Sequence, residues 1–147
     1  MMKKSILSLF GIFVFVTGLY SQESNGTSSG AKHYVGEKYL GGIIFYIDKT
    51  GQHGILAGEK DLPMADWDYA NKECSAEGEG WRLPSKDELK MLYNNKDIVG
   101  GFVKGYYWSS TVIGFDALLE DFDFGEQYKA SAQSFQDSAH VRCVRAF

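Results

Sequence analysis

Hydrophobic and polar residues change texture several times along this chain, and each change marks an element. After Met1-Met2-Lys3-Lys4 an apolar run extends from Ile6 to about Tyr20 and gives way to Ser21-Gln22-Glu23, the charged, hydrophobic and small-residue order of a secretory signal. The run is short for a membrane span. Cleavage after Ser21 is expected, with retention as an N-terminal anchor as the alternative. A Ser/Gly/Asn/Thr-rich stretch from Glu23 to Gly30 follows and reads as a flexible linker. The expected division is therefore 1–21 signal peptide, 22–32 linker and 33–147 folded domain, with no stable membrane span after cleavage.

Within the domain, Gly41-Gly42-Ile43-Ile44-Phe45-Tyr46-Ile47-Asp48 is rich in β-branched and aromatic residues, and a second short run, His53 to Ala57, follows a Lys49-Thr50-Gly51-Gln52 turn. This predicts a β-hairpin whose first strand is central, because it is apolar on both faces. From Asp66 the period lengthens. Trp67, Ala70 and Cys74 recur at helical spacing, and Gly78 and Gly80 end the helix they predict. A second helix is marked by a capping box, Ser85 with Glu88, ahead of an apolar stripe of Leu89, Leu92 and Tyr93, and it stops at Asn94-Asn95. Strand texture then returns at Tyr106–Thr111, Leu118–Phe124, Tyr128–Ala132 and Val141–Phe147, with a turn at Gly125. Strands, two helices and strands again make an α+β pattern rather than an alternating parallel sheet.

Composition narrows the class. Of 147 residues 44% are hydrophobic and 15% aromatic, which places the chain among packed domains. Loss of Lys3 and Lys4 would leave 13 of the 15 basic residues against 19 acidic ones, a net charge of −6. That balance disfavours nucleic acid and polyanions as partners, unless Arg82, Arg142 and Arg145 share one face. Two cysteines in an exported chain, Cys74 and Cys143, most simply form a disulfide, closing a loop of about 70 residues. Metal binding is the weaker reading of the pair, since no histidine stands at zinc-finger spacing.

Three segments, Gly80-Trp81-Arg82-Leu83-Pro84-Ser85-Lys86-Asp87-Glu88-Leu89, Tyr107-Trp108-Ser109-Ser110-Thr111 and Val141-Arg142-Cys143-Val144-Arg145-Ala146-Phe147, together with the Gly41–Tyr46 and Gly51–Gly54 hairpin, resemble the Lcl C-terminal domain family, a bacterial domain of unknown function. The resemblance covers nearly all of the folded region. It implies a C-type-lectin-like fold, two helices packed on short antiparallel sheets, in which a cysteine of a helix is bridged to one on the last strand, as Cys74 and Cys143 would be. Leu118 stands where the family often has Trp, and the Glu-Pro-Asn or Trp-Asn-Asp triplets of calcium-dependent lectins are absent. Calcium-mediated sugar binding is therefore not implied, and no cofactor is expected.

Candidate chemistry points to binding rather than catalysis. Gly26-Thr27-Ser28-Ser29-Gly30 fits a hydrolase pattern in letters only, because no strand precedes it to build a nucleophile elbow. His33, His53 and His140 are scattered, without paired carboxylates or a phosphate loop beside them. Trp81 and Leu83 are expected in the core, with Arg82 donating to backbone carbonyls. The acidic set Asp116, Glu120, Asp121, Asp123 and Glu126 lacks calcium-loop spacing and reads as a solvated surface. Aromatic side chains offer rigid faces with a polar tip, so Tyr106, Phe115, Tyr128 and Phe135, with Asp116, are the expected ligand-binding residues, and the loops between Thr111 and His140 the expected recognition surface. The expected function is a secreted, periplasmic or cell-surface module that binds a glycan or an envelope protein. The alternatives are a structural or assembly domain of the envelope, possible as a homo-oligomer, and an enzyme with an unrecognised site.

Overall fold

The computed structural model describes residues 30–132 and 138–147, which leaves the expected signal segment, most of the expected linker and Phe135 outside the described residues. The fold is α+β, with two sheets, few helices and one disulfide. The first sheet contains β1 (Lys38–Tyr39), β2 (Gly42–Ile47), β3 (Gly54–Gly58) and β9 (Val144–Ala146), in that order. The second runs β4 (Leu62–Ala65), β8 (Ala139–Val141), β5 (Tyr106–Ile113), β6 (Asp116–Asp121) and β7 (Gln127–Ser131). All pairs are antiparallel except β5 with β8, which are parallel at Tyr107 and His140. The predicted hairpin is β2–β3, and β2 is central as its apolar faces require.

Helix α1 (Trp67–Ala76) is capped by Asp66, whose carboxylate accepts from the Tyr69 N–H at 2.9 Å. Helix α2 (Lys86–Asn94) carries the predicted capping box: the Glu88 N–H donates to Ser85 Oγ at 3.2 Å, and the Ser85 N–H donates to Glu88 Oε2 at 2.7 Å. A short third helix, α3 (Lys96–Val99), follows directly and is absent from the sequence reading. The middle of the five-stranded sheet is buried on both faces. One face presents Tyr107 and Phe122 to Leu89, Leu92, Val99 and the inner side of the first sheet. The other presents Trp108 and Leu119 to Ala70, Cys74 and Cys143.

Four expectations need correction. The final run from Val141 to Phe147 is two strands, β8 and β9, in different sheets; the chain crosses between them at Arg142 and Cys143. Strand β6 ends at Asp121 rather than Phe124, because Gly125 donates its N–H to the Asp121 carbonyl at 2.7 Å and turns the chain with φ of 74°. A side chain at Gly125 would also strike the Tyr93 ring, its Cβ lying 2.3 Å from Cε1. The acidic set is not a uniformly solvated surface: Glu120 and Asp121 are buried. Glu120 Oε1 accepts from Lys90 Nζ at 3.0 Å, and Lys90 also donates to the Gly125 carbonyl, so the carboxylate ties α2 to β6. Finally, Arg82 gives one hydrogen bond to a carbonyl, that of Leu83 at 3.1 Å, and uses its fork on Glu88, with both N···O distances 2.7 Å. Carbonyl satisfaction falls to Arg142 instead. Leu83 is in the core as expected, and Trp81 packs against it half-buried.

The Arg82–Glu88 pair sets a pH dependence. Burial resists ionisation of Glu88, but the Arg82 fork and the Ser85 N–H outweigh it and hold its carboxyl below the ordinary glutamate value. A folded-state value below the unfolded one means stability that is present above the unfolded value and lost as pH falls through the lowered one. Urea midpoints followed from neutral pH down through the glutamate range should fall, and less steeply in Glu88→Gln.

Candidate binding surface

The site is built around a buried arginine. Arg142, in the crossing between the sheets, is wholly buried. Its Nε donates to Asp61 Oδ1 at 2.6 Å, its Nη1 to the carbonyls of Gly58 and Gly100 at 2.9 and 3.3 Å, and its Nη2 to the Gly101 carbonyl at 2.8 Å. Its guanidinium lies 4.1 Å from the centroid of the Phe102 ring. Asp61 Oδ2 accepts from the Tyr107 hydroxyl at 2.6 Å, and that hydroxyl accepts from the Val103 N–H at 2.9 Å. Burial, then the bond to Asp61, pushes the Tyr107 phenol well above its ordinary value, so it remains a donor. The result is a loop, residues 100–105, fixed from behind by two side chains. Its turn depends on Gly100 and Gly101, at φ of 73° and 72°.

The expected ligand-binding residues separate into two groups. Tyr106 opens β5 and Tyr128 lies in β7, and their rings meet edge to face with centroids 5.4 Å apart. Register explains the meeting. Trp108 pairs with Leu119 and Leu119 with Tyr128, so these side chains share a face, and Tyr106 precedes Trp108 by one full pleat. Together with Ala130 and Ser138 they line a cavity of about 390 Å³. Tyr106 and Tyr128 are 45% and 41% exposed, which leaves their rings open to solvent over a floor of buried Trp108. The Tyr128 hydroxyl donates to Glu126 Oε2 at 2.7 Å, and that bond raises its pKa to about 12.

Phe115 and Asp116 lie elsewhere. The β5–β6 hairpin turns at Gly114 and Phe115, and Phe115 is 75% exposed at its tip. It shares a smaller cavity, about 270 Å³, with Trp67, Val112 and Ala132. Asp116 begins β6 opposite Ser131 and is half-buried. At about 3.3 Å of rise per residue, β5 separates Tyr106 from this tip by about 23 Å. One small ligand cannot touch both groups. Phe135 lies outside the described residues.

Sequence reasoning missed Arg142, Asp61 and Tyr107 as the support of this surface. One signal was available: Arg142 stands in an otherwise apolar run beside Val141 and Cys143, where a charge needs an internal partner. Of the histidines, His33 contacts Glu37 at 3.0 Å near the first sheet, and the His140 ring lies against Tyr107 with centroids 5.1 Å apart. Among the described residues no three of His, Cys, Asp and Glu converge as metal ligands. No helix among them is long and apolar enough to cross a membrane.

Fold and site together define a disulfide-linked α+β domain with an arginine-braced loop and an open aromatic cavity. No family model matches the chain, and no curated protein matches it.

Proposed function

We propose that this chain is an exported, non-catalytic binding module that takes a glycan in the Tyr106–Tyr128 cavity. The observation that carries the reading is the pair of half-exposed tyrosines set edge to face over Trp108, with Ser138 in the lining and Glu126 bonded to the Tyr128 hydroxyl as polar partners for a sugar. Membership of the Lcl C-terminal domain family, with a C-type-lectin-like fold, is part of the same proposal. It is supported by the bridge from Cys74 on α1 to Cys143, one residue before the last strand. The disulfide also supports an oxidising location, periplasmic or at the cell surface.

A glycan array and pull-down from envelope extracts test the proposal. Tyr106→Ala/Tyr128→Ala should weaken glycan binding at least tenfold while the protein stays folded, because neither half-exposed ring belongs to the buried core. Equal binding by parent and variant would count against the cavity. An envelope protein as ligand, or an assembly role, is favoured instead by the exposed apolar tip at Ile113 and Phe115. In that case Phe115→Ser would abolish capture of the partner, or self-association seen by light scattering, and glycans would be without effect.

A further inference from the structure

A second cavity opens at the same end of the five-stranded sheet. It measures about 470 Å³ and is lined by Lys96 and Asp97 of α3, by the 100–104 loop, and by Phe122 and Asp123 just beyond β6. Its charges balance, two lysines against two aspartates. Lys104 Nζ sits 3.4 Å from Asp123 Oδ1, and Lys96 Nζ donates to the Phe122 carbonyl at 2.8 Å while lying 4.3 Å from the Tyr93 ring centroid. A polyanion would meet cations already compensated. An uncharged polyol would meet donors and acceptors of both kinds beside two phenyl rings, Phe102 and Phe122, whose centroids are 4.8 Å apart. The walls are held in place before any ligand arrives. Arg142 clamps the Gly100 and Gly101 carbonyls and Tyr107 holds the Val103 N–H, so binding would spend little on ordering this loop.

The two cavities are close along the chain. Lys104 lines one and Tyr106 the other, two residues or about 7 Å apart along the chain. On the neighbouring strand Tyr106 pairs with Asp121, and Asp121 Oδ1 accepts from the Asp123 N–H at 2.7 Å. The Phe122 N–H donates to the Gly105 carbonyl at 2.9 Å, which joins the two walls. Because side chains alternate, Tyr106 and Phe122 belong to opposite faces, so a ligand reaching both cavities must pass the end of the sheet where Lys104 and Asp123 pair. We infer that the cavities are two subsites of one extended site, and that the ligand is an uncharged oligosaccharide long enough to pass this end of the sheet. This rests on the glycan reading above.

Amide chemical-shift mapping of the full chain tests it, with cello-, malto-, xylo- and chito-oligosaccharides of one to six units and a sulfated hexasaccharide as the anionic probe. One neutral series should move the amides of Tyr106, Tyr128, Phe102 and Lys104 together, with affinity rising at least tenfold between one unit and the longest. Lys104→Ala and Asp123→Asn, both changes at a surface pair, should weaken the long ligand three- to tenfold and leave the shortest binding member unaffected. Shifts confined to Tyr106 and Tyr128, with affinity independent of length, would overturn the extended site and leave the glycan reading standing. Tighter binding of the sulfated probe at the second cavity would overturn the uncharged ligand. No response at either cavity to any series would overturn both this inference and the reading it rests on.

Discussion

Arg142→Leu is expected to lower the free energy of unfolding by about 5 kcal/mol, comparable with the whole net stability of a small domain. The side chain is wholly buried and gives hydrogen bonds to three carbonyls and to Asp61. Leucine would leave the Asp61 carboxylate without its cation, and breaking one side of a buried pair costs about 3–5 kcal/mol. Each orphaned carbonyl would add up to about 1–3 kcal/mol, reduced where the loop reopens to water. Arg142→Lys should rescue little, since one ammonium cannot reproduce a fork that spans Asp61 and the Gly58, Gly100 and Gly101 carbonyls. Asp61→Asn keeps an acceptor for Tyr107 and should fall between parent and Arg142→Leu. Urea unfolding followed by tryptophan fluorescence measures all three. An Arg142→Leu protein within about 1 kcal/mol of the parent would mean that the loop's carbonyls find water as readily as they find the guanidinium.

The strongly periodic parts of the fold were legible in the sequence. Trp67, Ala70 and Cys74 mark the buried stripe of α1, the Ser85–Glu88 box fixes the start of α2, and turn residues between two apolar runs give the β2–β3 hairpin. What failed depended on partners remote in sequence. Nothing local in Val141–Phe147 shows that the chain changes sheets at Arg142, because β8 and β9 are each three residues of ordinary strand texture. Strand β4 was missed because Pro63 removes a donor and Met64 faces solvent, which suits an edge strand but breaks the usual pattern. Glu120 read as surface because its cation, Lys90, is thirty positions away. At the site, residue types were legible and their grouping was not. Tyr106 and Tyr128 meet through the registers of two strand pairs, whereas Phe115, nearer to Tyr106 in sequence than Tyr128 is, lies at the far end of the same hairpin.

Removing the disulfide, as Cys74→Ala/Cys143→Ala, should cost about 4 kcal/mol in the chain-entropy account. The bridge links residues 69 apart, so its absence releases more than half of the folded region in the unfolded state. Both cysteines are buried among Ala70, Leu83, Trp108 and Val141, so the lost sulfurs add packing defects to that entropy. At a urea m value of about 1–3 kcal/mol/M the midpoint would move by more than about 1 M, a shift that reduction of the parent protein should reproduce. The effect should also depend on Arg142. Cys143 is its immediate neighbour in the crossing, so the bridge holds the backbone from which the guanidinium reaches the 100–105 loop. The cost of combining the cysteine and arginine changes should therefore fall short of the sum, by more than the few tenths of a kcal/mol expected of independent sites. Strict additivity would separate the bridge from the loop, and confine its contribution to anchoring α1.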